Sequence, residues 1–341
     1  MRAMRLHESA PIEERPLRLE DVPVPKPGPG EIRIRVAACG VCHTDLHEAE
    51  GDLALPIRPI TTGHQIVGVV DAVGPGALRF RPGDRVGVPW LGRTCGACRF
   101  CAAGRENLCP DAVFTGFHRD GGYADYAVAA EAFACPLPPG VSDTQAAPLL
   151  CAGIIGYRAL RLSRVRPGEA LGLFGFGASA HVAIQIARHW RCRVYVFTRS
   201  EAHRELARRQ GAEWVGAATE APPEPLTGGI VFAPAGEIVP RALEHLDRGG
   251  TLALAGIWMS DTPPLDYARH LYFEKTLCSV TASTRADAEE LMALAPVVPI
   301  HTDVQTFPLA AANEALADLK HSRLRHGAAV LTVAPAEADP R

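Results

Sequence analysis

Two patterns of hydrophobic and polar residues follow one another along the chain. Up to about residue 150, short apolar runs such as 32–36, 66–73 and 85–88 are separated by many Gly and Pro residues, which is typical of an irregular, mostly β structure. From residue 169 onward, strand-like segments alternate with segments of helical periodicity. That alternation predicts βαβ units and a parallel sheet covered on both faces.

The second pattern predicts strands at residues 171–174, 194–197, 230–232, 251–255 and 279–282, and helices at residues 178–189 and 201–210. Beyond residue 284 the pattern is less regular, with a predicted helix at 310–320 and a predicted strand at 328–333. We expect this last part to return to the first region. Residues 334–341 are rich in Pro and charged residues and are expected to be disordered.

Length and composition limit the classes of function. A chain of 341 residues exceeds the size at which a single core usually keeps growing, so two domains are expected. Hydrophobic residues make up 47% of the chain, but no apolar run reaches the roughly 18 residues that a membrane span needs. The formal net charge is -3 with both signs interleaved, which does not favour a nucleic-acid partner.

The cysteine content points to metal binding or catalysis. Residues 1–19 lack the apolar centre and the cleavage site of a secretory signal, so we expect a cytoplasmic protein. The ten cysteines of the chain should be reduced in that compartment. Clustered cysteines therefore indicate metal ligands or catalytic groups rather than disulfides.

Four of the cysteines form a cluster, the cysteine lobe, at about residues 93–110. Cys95, Cys98, Cys101 and Cys109 follow the spacing C-x2-C-x2-C-x7-C. Four thiolates can close a tetrahedron around Zn²⁺ and leave no position for a substrate, which predicts a structural zinc around which the lobe folds. An iron–sulfur cluster is the first alternative, although the last gap of the ferredoxin run is about three residues rather than seven. Four unrelated buried cysteines are the second alternative.

A second candidate metal set is drawn from three separate segments. Two cysteines and one histidine, here Cys42, His64 and Cys151, are a ligand set of catalytic zinc that keeps a fourth position open. Each residue alone is a weak signal. A lone Cys151 is more often a small buried hydrophobe, and a lone His64 is more often a surface or hydrogen-bonded histidine.

A glycine-rich turn lies between the first predicted strand and helix of the second region. The motif Gly175-Phe176-Gly177-Ala178-Ser179-Ala180 is a dinucleotide-binding fingerprint, and Ala in its last place still permits close helix–strand packing. The helix N-terminus is expected to face a pyrophosphate, which makes Gly175, Gly177 and Ala178 candidate cofactor contacts. A structural turn without a ligand is the alternative.

The segment after the second predicted strand favours NADP(H) over NAD(H). NAD-binding domains usually carry Asp or Glu there for the ribose 2′-hydroxyl, whereas this chain has Thr198-Arg199-Ser200 and no carboxylate before Glu201. A guanidinium such as that of Arg199 pairs with a 2′-phosphate, and the hydroxyls of Thr198 and Ser200 can donate to the same oxygens. The alternative is that Arg199 points to solvent and that Glu201, or simple tolerance, lets NAD(H) bind as well.

Taken together, these motifs resemble the zinc-containing alcohol dehydrogenases of the medium-chain dehydrogenase/reductase superfamily. The resemblance includes the block Cys42-His43-Thr44-Asp45-Leu46-His47, the pair Gly63-His64 with Gly68 after it, the cysteine lobe and the glycine fingerprint, in the same order from about residue 4 to residue 333. It implies that Cys42, His64 and Cys151 bind the catalytic zinc and that Asp45 orients His64. It further implies that Thr44 contacts the substrate oxygen and that His47 transfers the proton to solvent through the cofactor ribose. His43 would lie near the cofactor pyrophosphate.

The resemblance also implies the architecture and the reaction. A β-rich, GroES-like catalytic domain would comprise residues 1–151 and 285–341, and a Rossmann domain with a doubly wound parallel sheet would be inserted as residues 152–284, with the active site in the cleft between them. The expected reaction is hydride transfer between a small alcohol and an aldehyde or ketone, with two Zn²⁺ per chain and NAD(P)(H). A homo-oligomer, either a dimer or a tetramer, is expected.

Two positions refine this resemblance. Gln65 stands where the family usually has a Glu that lies behind the zinc and can act as a transient ligand, so such ligand exchange is in question here. Gln65 can form hydrogen bonds but carries no charge. Trp90 is similar to a Trp that narrows the substrate pocket in yeast-like members and so favours unhindered primary alcohols. Packing of Trp90 in the domain core is an alternative interpretation of equal weight.

Two other functions stay open at the level of sequence. A quinone or enone reductase of the same superfamily would transfer hydride to a conjugated alkene, but such relatives generally lack both zinc sets. A non-enzymatic, cofactor-sensing protein is the other hypothesis. Metal analysis and an absorbance assay with ethanol, benzyl alcohol and the matching aldehydes separate the three.

Overall fold

The chain divides into two compact units in the computed structural model, which describes residues 1–298, 300–324 and 327–333. Unit 1 consists of Met1–Cys151, Ala282–Pro296 and the described residues from His301 onward. Unit 2 consists of Ala152–Thr281 and residues 297, 298 and 300. The domain bounds predicted from the sequence stay a prediction.

The first segment of unit 1 contains ten strands and three α-helices. The strands are β1 (Arg2–Leu6), β2 (Leu17–Asp21), β3 (Glu31–Val41), β4 (Ile60–Thr61), β5 (Ile66–Val73), β6 (Arg85–Val88), β7 (Leu91–Arg93), β8 (Val113–Phe114), β9 (Tyr126–Ala130) and β10 (Cys135–Pro136). The helices are α1 (His43–Glu50), α2 (Arg99–Ala102) and α3 (Asp143–Ala146). Short 3-10 turns lie at Ile12–Glu14, Glu106–Leu108, Glu131–Phe133 and Ala147–Leu150.

Unit 2 alternates helices and strands. Its helices are α4 (Ala152–Leu162), α5 (Ala178–His189), α6 (Glu201–Arg209), α7 (Ile238–His245) and α8 (Tyr267–His270). Its strands are β11 (Ala170–Phe174), β12 (Arg193–Phe197), β13 (Trp214–Gly216), β14 (Leu226–Val231), β15 (Leu246–Leu254) and β16 (Thr276–Ser279). The chain then returns to unit 1 with α9 (Arg285–Leu294), β17 (Val304–Pro308), a 3-10 turn (Leu309–Ala311), α10 (Ala312–Lys320) and β18 (Ala328–Thr332).

The described residues of unit 1 build a seven-stranded sheet around β3. Its order is β10-β6-β5-β3-β18-β17, with β9 also paired to β3. Alternate residues of β3 such as Ile32, Ile34 and Val36 are buried, as the two-residue period of a strand requires. Strand β18 comes from the end of the chain and pairs with the part of β3 that leads into Cys42. Strand pairing therefore joins the last segment of the chain to the first.

Unit 2 is built on a six-stranded parallel sheet. The strand order is β13-β12-β11-β14-β15-β16, and each neighbouring pair is parallel. This is the 3-2-1-4-5-6 order of a Rossmann sheet, whose ligands bind where the order reverses, beside the first strand. All five residues of β11 are buried, as in a sheet with both faces covered. The predicted fold class is confirmed.

One strand prediction was displaced along the chain. The sequence predicted a strand at residues 279–282, whereas β16 is Thr276–Ser279. Strand β16 lies at the edge of its sheet, and its residues are half-buried or exposed. Such a strand does not require a continuous apolar run, whereas the sequence prediction relied on one. The predicted disorder of residues 334–341 lies outside the described residues.

No helix among the described residues combines the length and the apolar composition needed to cross a membrane.

Candidate functional site

The four sulfur atoms of the cysteine lobe converge on one point. The Sγ atoms of Cys95, Cys98, Cys101 and Cys109 all lie within 4.8 Å of one another. Individual separations are 3.4 Å between Cys95 and Cys109, 3.6 Å between Cys98 and Cys101, and 3.9 Å between Cys95 and Cys101. A tetrahedral zinc with Zn–S bonds of about 2.3 Å requires sulfur separations of about 3.8 Å. The donor set therefore fits a closed tetrahedral Zn²⁺ site.

Backbone groups of the lobe favour the thiolate form of Cys95, whereas burial and its sulfur neighbours raise the pKa of Cys109 to about 11. The backbone N–H of Cys98 lies 3.4 Å from the sulfur of Cys95, and the backbone N–H of Cys95 lies 3.5 Å from the sulfur of Cys109. The N–H groups of Ala97 and Cys98 lower the pKa of Cys95 to about 7. Because thiolates are the form that binds metal, this local backbone prepares the lobe for a cation.

The second set also converges, although its members are far apart in sequence. Cys42 is the N-cap of α1, His64 lies just before β5, and Cys151 ends unit 1 directly before α4. Their ligand atoms lie within 4.8 Å of one another, and Cys42 Sγ is 3.4 Å from His64 Nε2. A tetrahedral zinc site with one sulfur and one nitrogen ligand requires a separation of about 3.6 Å. Three donors leave the fourth position of a tetrahedron open.

Asp45 holds two members of this set in place. Its carboxylate accepts hydrogen bonds from the backbone N–H of Cys42 at 2.9 Å and from Nδ1 of His64 at 3.1 Å. Asp45 and His64 are almost completely buried. With Nδ1 donating to Asp45, the lone pair of Nε2 faces the ligand set.

The charge state of the Cys42 and Cys151 thiols also fits a cation. The hydrogen bond with Cys151, followed by burial, raises the pKa of the Cys42 thiol well above its usual range. Both sulfur-bearing side chains are half-buried and adjacent, and a divalent cation between such thiols would stabilise their thiolate forms.

The remaining predicted residues of this region lie on helix α1. Thr44 is buried in the first turn, two residues after Cys42. His43 is exposed at the start of the helix, and His47 lies one turn later on the same face, with Nδ1 2.8 Å from a carboxylate oxygen of Asp52. Thr44 and His47 thus occupy the same helix whose N-terminal residue is the metal-ligand candidate Cys42.

The ring of Trp90 lies beside the ligand His64. The two rings are edge to face, with centroids 4.8 Å apart. Trp90 also stacks on Phe114 at 5.0 Å and contacts Phe117 at 5.8 Å. It is half-buried rather than enclosed in the core. Trp90 is thus placed next to the candidate metal set and keeps part of its surface accessible.

The glycine fingerprint has the geometry of a phosphate-binding turn. It links β11, in the middle of the parallel sheet, to α5, which begins at Ala178 with Gly177 as its N-cap. Gly175 has φ +91°, and a Cβ there would lie 2.8 Å from the backbone N of Ala233. A Cβ on Gly177 would meet no atom within 4 Å, so this glycine borders open space. A phosphate can therefore approach the backbone and the positive end of the helix dipole.

The guanidinium of Arg199, in the segment after β12, is accessible. The backbone N–H of Thr198 donates to the carbonyl of Gly216 at 2.9 Å, so the strand pairing continues to this residue. Arg199 is exposed. Ser200 caps α6, because its hydroxyl accepts from the N–H of His203 at 3.4 Å. The nearest following carboxylate, Glu201, pairs along α6 with Arg208 at 3.3 Å and with Arg204 at 3.7 Å.

Comparison with known proteins identifies the family. The sequence model of the family called alcohol dehydrogenase GroES-like domain matches residues 28–139. The sequence model of the family called zinc-binding dehydrogenase matches residues 180–296. A probable alcohol dehydrogenase of Mycobacterium tuberculosis, AdhA, is 46% identical over 338 residues, which cover 98% of this chain and 97% of that protein. The chain belongs to the alcohol dehydrogenase family of zinc-binding dehydrogenases. An alcohol dehydrogenase of Geobacillus stearothermophilus is 35% identical, with 88% of this chain and 92% of that protein covered.

Solved structures share the fold of this alcohol dehydrogenase. A cinnamyl alcohol dehydrogenase of Sorghum bicolor superposes with a TM-score of 0.88 at 27% identity and covers 100% of this chain and 99% of its own. A cobalt- and zinc-bound thermostable alcohol dehydrogenase of Pyrobaculum aerophilum gives a TM-score of 0.87 at 28% identity, with 97% and 99% covered. The protein is thus an oxidoreductase with the predicted pairing of a GroES-like and a Rossmann fold.

Several residues of these regions were not predicted. Arg204 donates from Nε to the carbonyl of Thr198 at 2.9 Å, so a second guanidinium lies beside the turn after β12. Phe114 and Phe117 join the aromatic group of Trp90. Glu48, on α1, is completely buried. The position of the Glu48 carboxylate on the apolar side of helix α1 can be read from the sequence. The ring contacts of Trp90 could not be predicted, because they join residues that have no periodic spacing.

Proposed function

We propose that this alcohol dehydrogenase interconverts a small alcohol and its aldehyde or ketone at a zinc ion held by Cys42, His64 and Cys151. The observation that carries this proposal is the convergence of these three donors, with His64 oriented by the buried Asp45. Two thiolates, one neutral imidazole and an open fourth position are typical of a catalytic rather than a structural zinc. When bound, Zn²⁺ acts as a Lewis acid toward the substrate oxygen, and the nicotinamide exchanges hydride with the substrate.

We further propose that the cysteine lobe holds a second, structural zinc ion. Its support is the closed four-sulfur geometry. The two ions would differ chemically, because four thiolates leave no position for substrate whereas the other set leaves one.

The protein groups of the reaction would lie on α1. Thr44 would form a hydrogen bond with the substrate oxygen, and His47 would take the alcohol proton onward to solvent. The support is their position in the same helix as Cys42, with Thr44 buried and His47 half-buried and hydrogen-bonded to Asp52. A buried hydroxyl and a partly accessible imidazole are suited to the two ends of a proton path. His43 would lie near the cofactor pyrophosphate.

For the cofactor we favour NADP(H), bound at Gly175, Gly177 and Ala178 through its pyrophosphate. The open space that Gly177 borders supports that placement. The 2′-phosphate would be recognised by Arg199 together with the hydroxyls of Thr198 and Ser200. The support is the engagement of Glu201 with Arg204 and Arg208, which leaves no competing carboxylate in the turn that carries Arg199.

Trp90 would form a wall of the substrate pocket. Its half-buried ring lies against His64, so a substrate whose oxygen binds near that ligand would meet the indole.

Metal analysis combined with an absorbance assay tests the proposal. Ethanol, benzyl alcohol and the corresponding aldehydes would be assayed with NADPH or NADP⁺ and with NADH or NAD⁺. We expect zinc in the purified protein and turnover that is lost when the catalytic zinc is chelated and restored by added Zn²⁺. Activity that is unchanged after removal of this ion would refute a zinc-dependent reaction.

A further inference from the structure

A group of buried polar atoms lies next to the catalytic metal set. Glu48 is completely buried in α1, and neither oxygen of its carboxyl group has a hydrogen-bond partner among the described residues. The same is true of Thr62 Oγ1 and Gln65 Nε2, whereas the buried hydroxyl of Tyr123 lies near the Asp45 carboxylate. We call these four side chains the inner polar cluster. Each unpaired buried group of this kind costs free energy, so a native protein normally provides a partner.

The cluster is arranged around the pair of Asp45 and His64. Glu48 is three residues beyond Asp45 in α1, so both carboxyl groups lie on the same buried side of the helix. Thr62 and Gln65 lie on the segment that carries His64. Tyr123 is attached to that segment, because its N–H donates to the carbonyl of Thr62 at 3.0 Å.

Gly63 shows how closely Tyr123 packs behind the metal ligand. Gly63 has φ +94°, and a Cβ there would lie 2.3 Å from the Tyr123 ring. The phenol is therefore held against the residue that precedes His64.

Burial and the charge of Asp45 act on both Glu48 and Tyr123. Burial and then the charge of Asp45 raise the pKa of the Glu48 carboxyl group well above its usual range, and His64 opposes this shift. Burial and the charge of Asp45 likewise raise the pKa of the Tyr123 phenol. Asp45 itself accepts hydrogen bonds from Cys42 and His64. The carboxyl group of Glu48 thus lies buried near Asp45 without a hydrogen-bond partner among the described residues.

We propose that the inner polar cluster binds buried water on the inner side of the metal set, and that Glu48 is a positioning residue that supports Asp45 and His64 through this water. The inference rests on the proposed function, because it takes Cys42, His64 and Cys151 as the catalytic metal site. Buried waters typically make about three hydrogen bonds to polar groups that lack other partners. Donor and acceptor atoms are both present here, on Gln65, Glu48, Thr62 and Tyr123.

The metal affinity of Glu48 variants tests the positioning role. Zn²⁺ would be withdrawn from the purified protein by a chromogenic chelator at equilibrium. Glu48→Gln keeps an uncharged hydrogen-bonding group, so we expect its zinc affinity to stay within about threefold of the original, given the role of such outer partners. Glu48→Met removes the polar atoms at similar size, and we expect affinity to fall about 10- to 100-fold at the catalytic site. The lobe zinc should be unaffected in both variants.

Two outcomes would overturn the proposal. Wild-type affinity in Glu48→Met would mean that the cluster does not support the metal site. An equal loss in Glu48→Gln and Glu48→Met would mean that a negative charge acts, rather than an uncharged group bound to water. Glu50→Met is the matched control, since Glu50 lies on the same helix but pairs with Lys320 at 2.7 Å; its zinc affinity should not change.

A high-resolution crystal structure and one further variant complete the test. We expect ordered water hydrogen-bonded to Glu48 and Gln65, and a dry cluster would refute the proposal. Cys42→Ser distinguishes this failure from failure of the proposed function. If Cys42→Ser retains both zinc ions at wild-type affinity, the catalytic ligand set itself is wrong, whatever the Glu48 variants show.

Discussion

His47 is a histidine with one ring nitrogen already engaged. Its Nδ1 lies 2.8 Å from Asp52, which fixes the ring orientation on the outer part of α1. An imidazole held in this way can transfer protons through its other nitrogen. At higher pH, hydroxide or buffer base can partly replace such a group.

We therefore expect His47→Gln to lower kcat mainly near and below neutral pH, by about tenfold, and to approach the original rate at alkaline pH. The measurement is the pH profile of alcohol oxidation with saturating cofactor. His7→Gln is a control, because His7 is a half-exposed histidine that pairs with Glu20 instead. A pH profile of His47→Gln that parallels the original would exclude His47 from proton transfer.

Arg199 is expected to determine cofactor preference. Arg199→Ala should lower kcat/KM for NADPH about 10- to 100-fold relative to NADH, which corresponds to the roughly 1.5–3 kcal/mol of hydrogen bonds to a charged group. Arg209→Ala, an exposed arginine at the end of α6, is the control for loss of positive charge. An original enzyme that prefers NADH, or a preference unmoved by Arg199→Ala, contradicts the assignment.

At the scale of elements, the cysteine lobe contains little regular structure. It consists mainly of the four-residue helix α2 and the 3-10 turn Glu106–Leu108, and no residue of α2 is buried. So small an element cannot bury enough apolar surface to fold independently. Its order should therefore depend on the metal.

Cys98→Ser should consequently lower stability rather than chemistry. We expect a loss of one zinc ion per chain and a Tm lower by about 5 °C or more, with substantial turnover in the folded fraction. Cys278→Ser is the control, because that half-buried thiol is outside both ligand sets. An unchanged Tm after Cys98→Ser would remove the structural role of the lobe.

At the scale of the molecule, the two ligand sets and the nucleotide fingerprint occupy different compact units. All seven candidate metal ligands belong to unit 1, whereas Gly175, Gly177 and Arg199 belong to unit 2. Chemistry and nucleotide binding should accordingly be separable by mutation.

Cys42→Ala and His64→Ala should each reduce turnover about a thousandfold or more while cofactor binding remains measurable. Metal analysis should find two zinc ions in the original chain and one in each variant. Cofactor binding can be followed by quenching of protein fluorescence. If Cys42→Ala unfolds the protein while Cys98→Ser does not, the catalytic and structural roles have been exchanged.

Much of this molecule was predictable because its signals are local. The helix at residues 178–189 agrees with α5 at both ends, since a glycine turn precedes it and its apolar positions recur at helical spacing. The four cysteines of the lobe lie within fifteen positions, so their spacing alone restricts them to one small site. Strand β16 was misplaced because an edge strand carries a weaker apolar pattern.

The sequence alone determined the residue types, the local elements and the order of the two regions, because these depend on neighbouring positions. Tertiary structure decided which distant groups meet. Cys151 is more than one hundred positions from Cys42, and only the folding of unit 1 brings its sulfur to the other ligands. Likewise, Glu48 is buried only in the folded chain, and Asp45 of the same helix meets His64 across 19 positions of sequence. Such contacts join positions that no spacing rule connects, which is why packing rather than pattern completed the site.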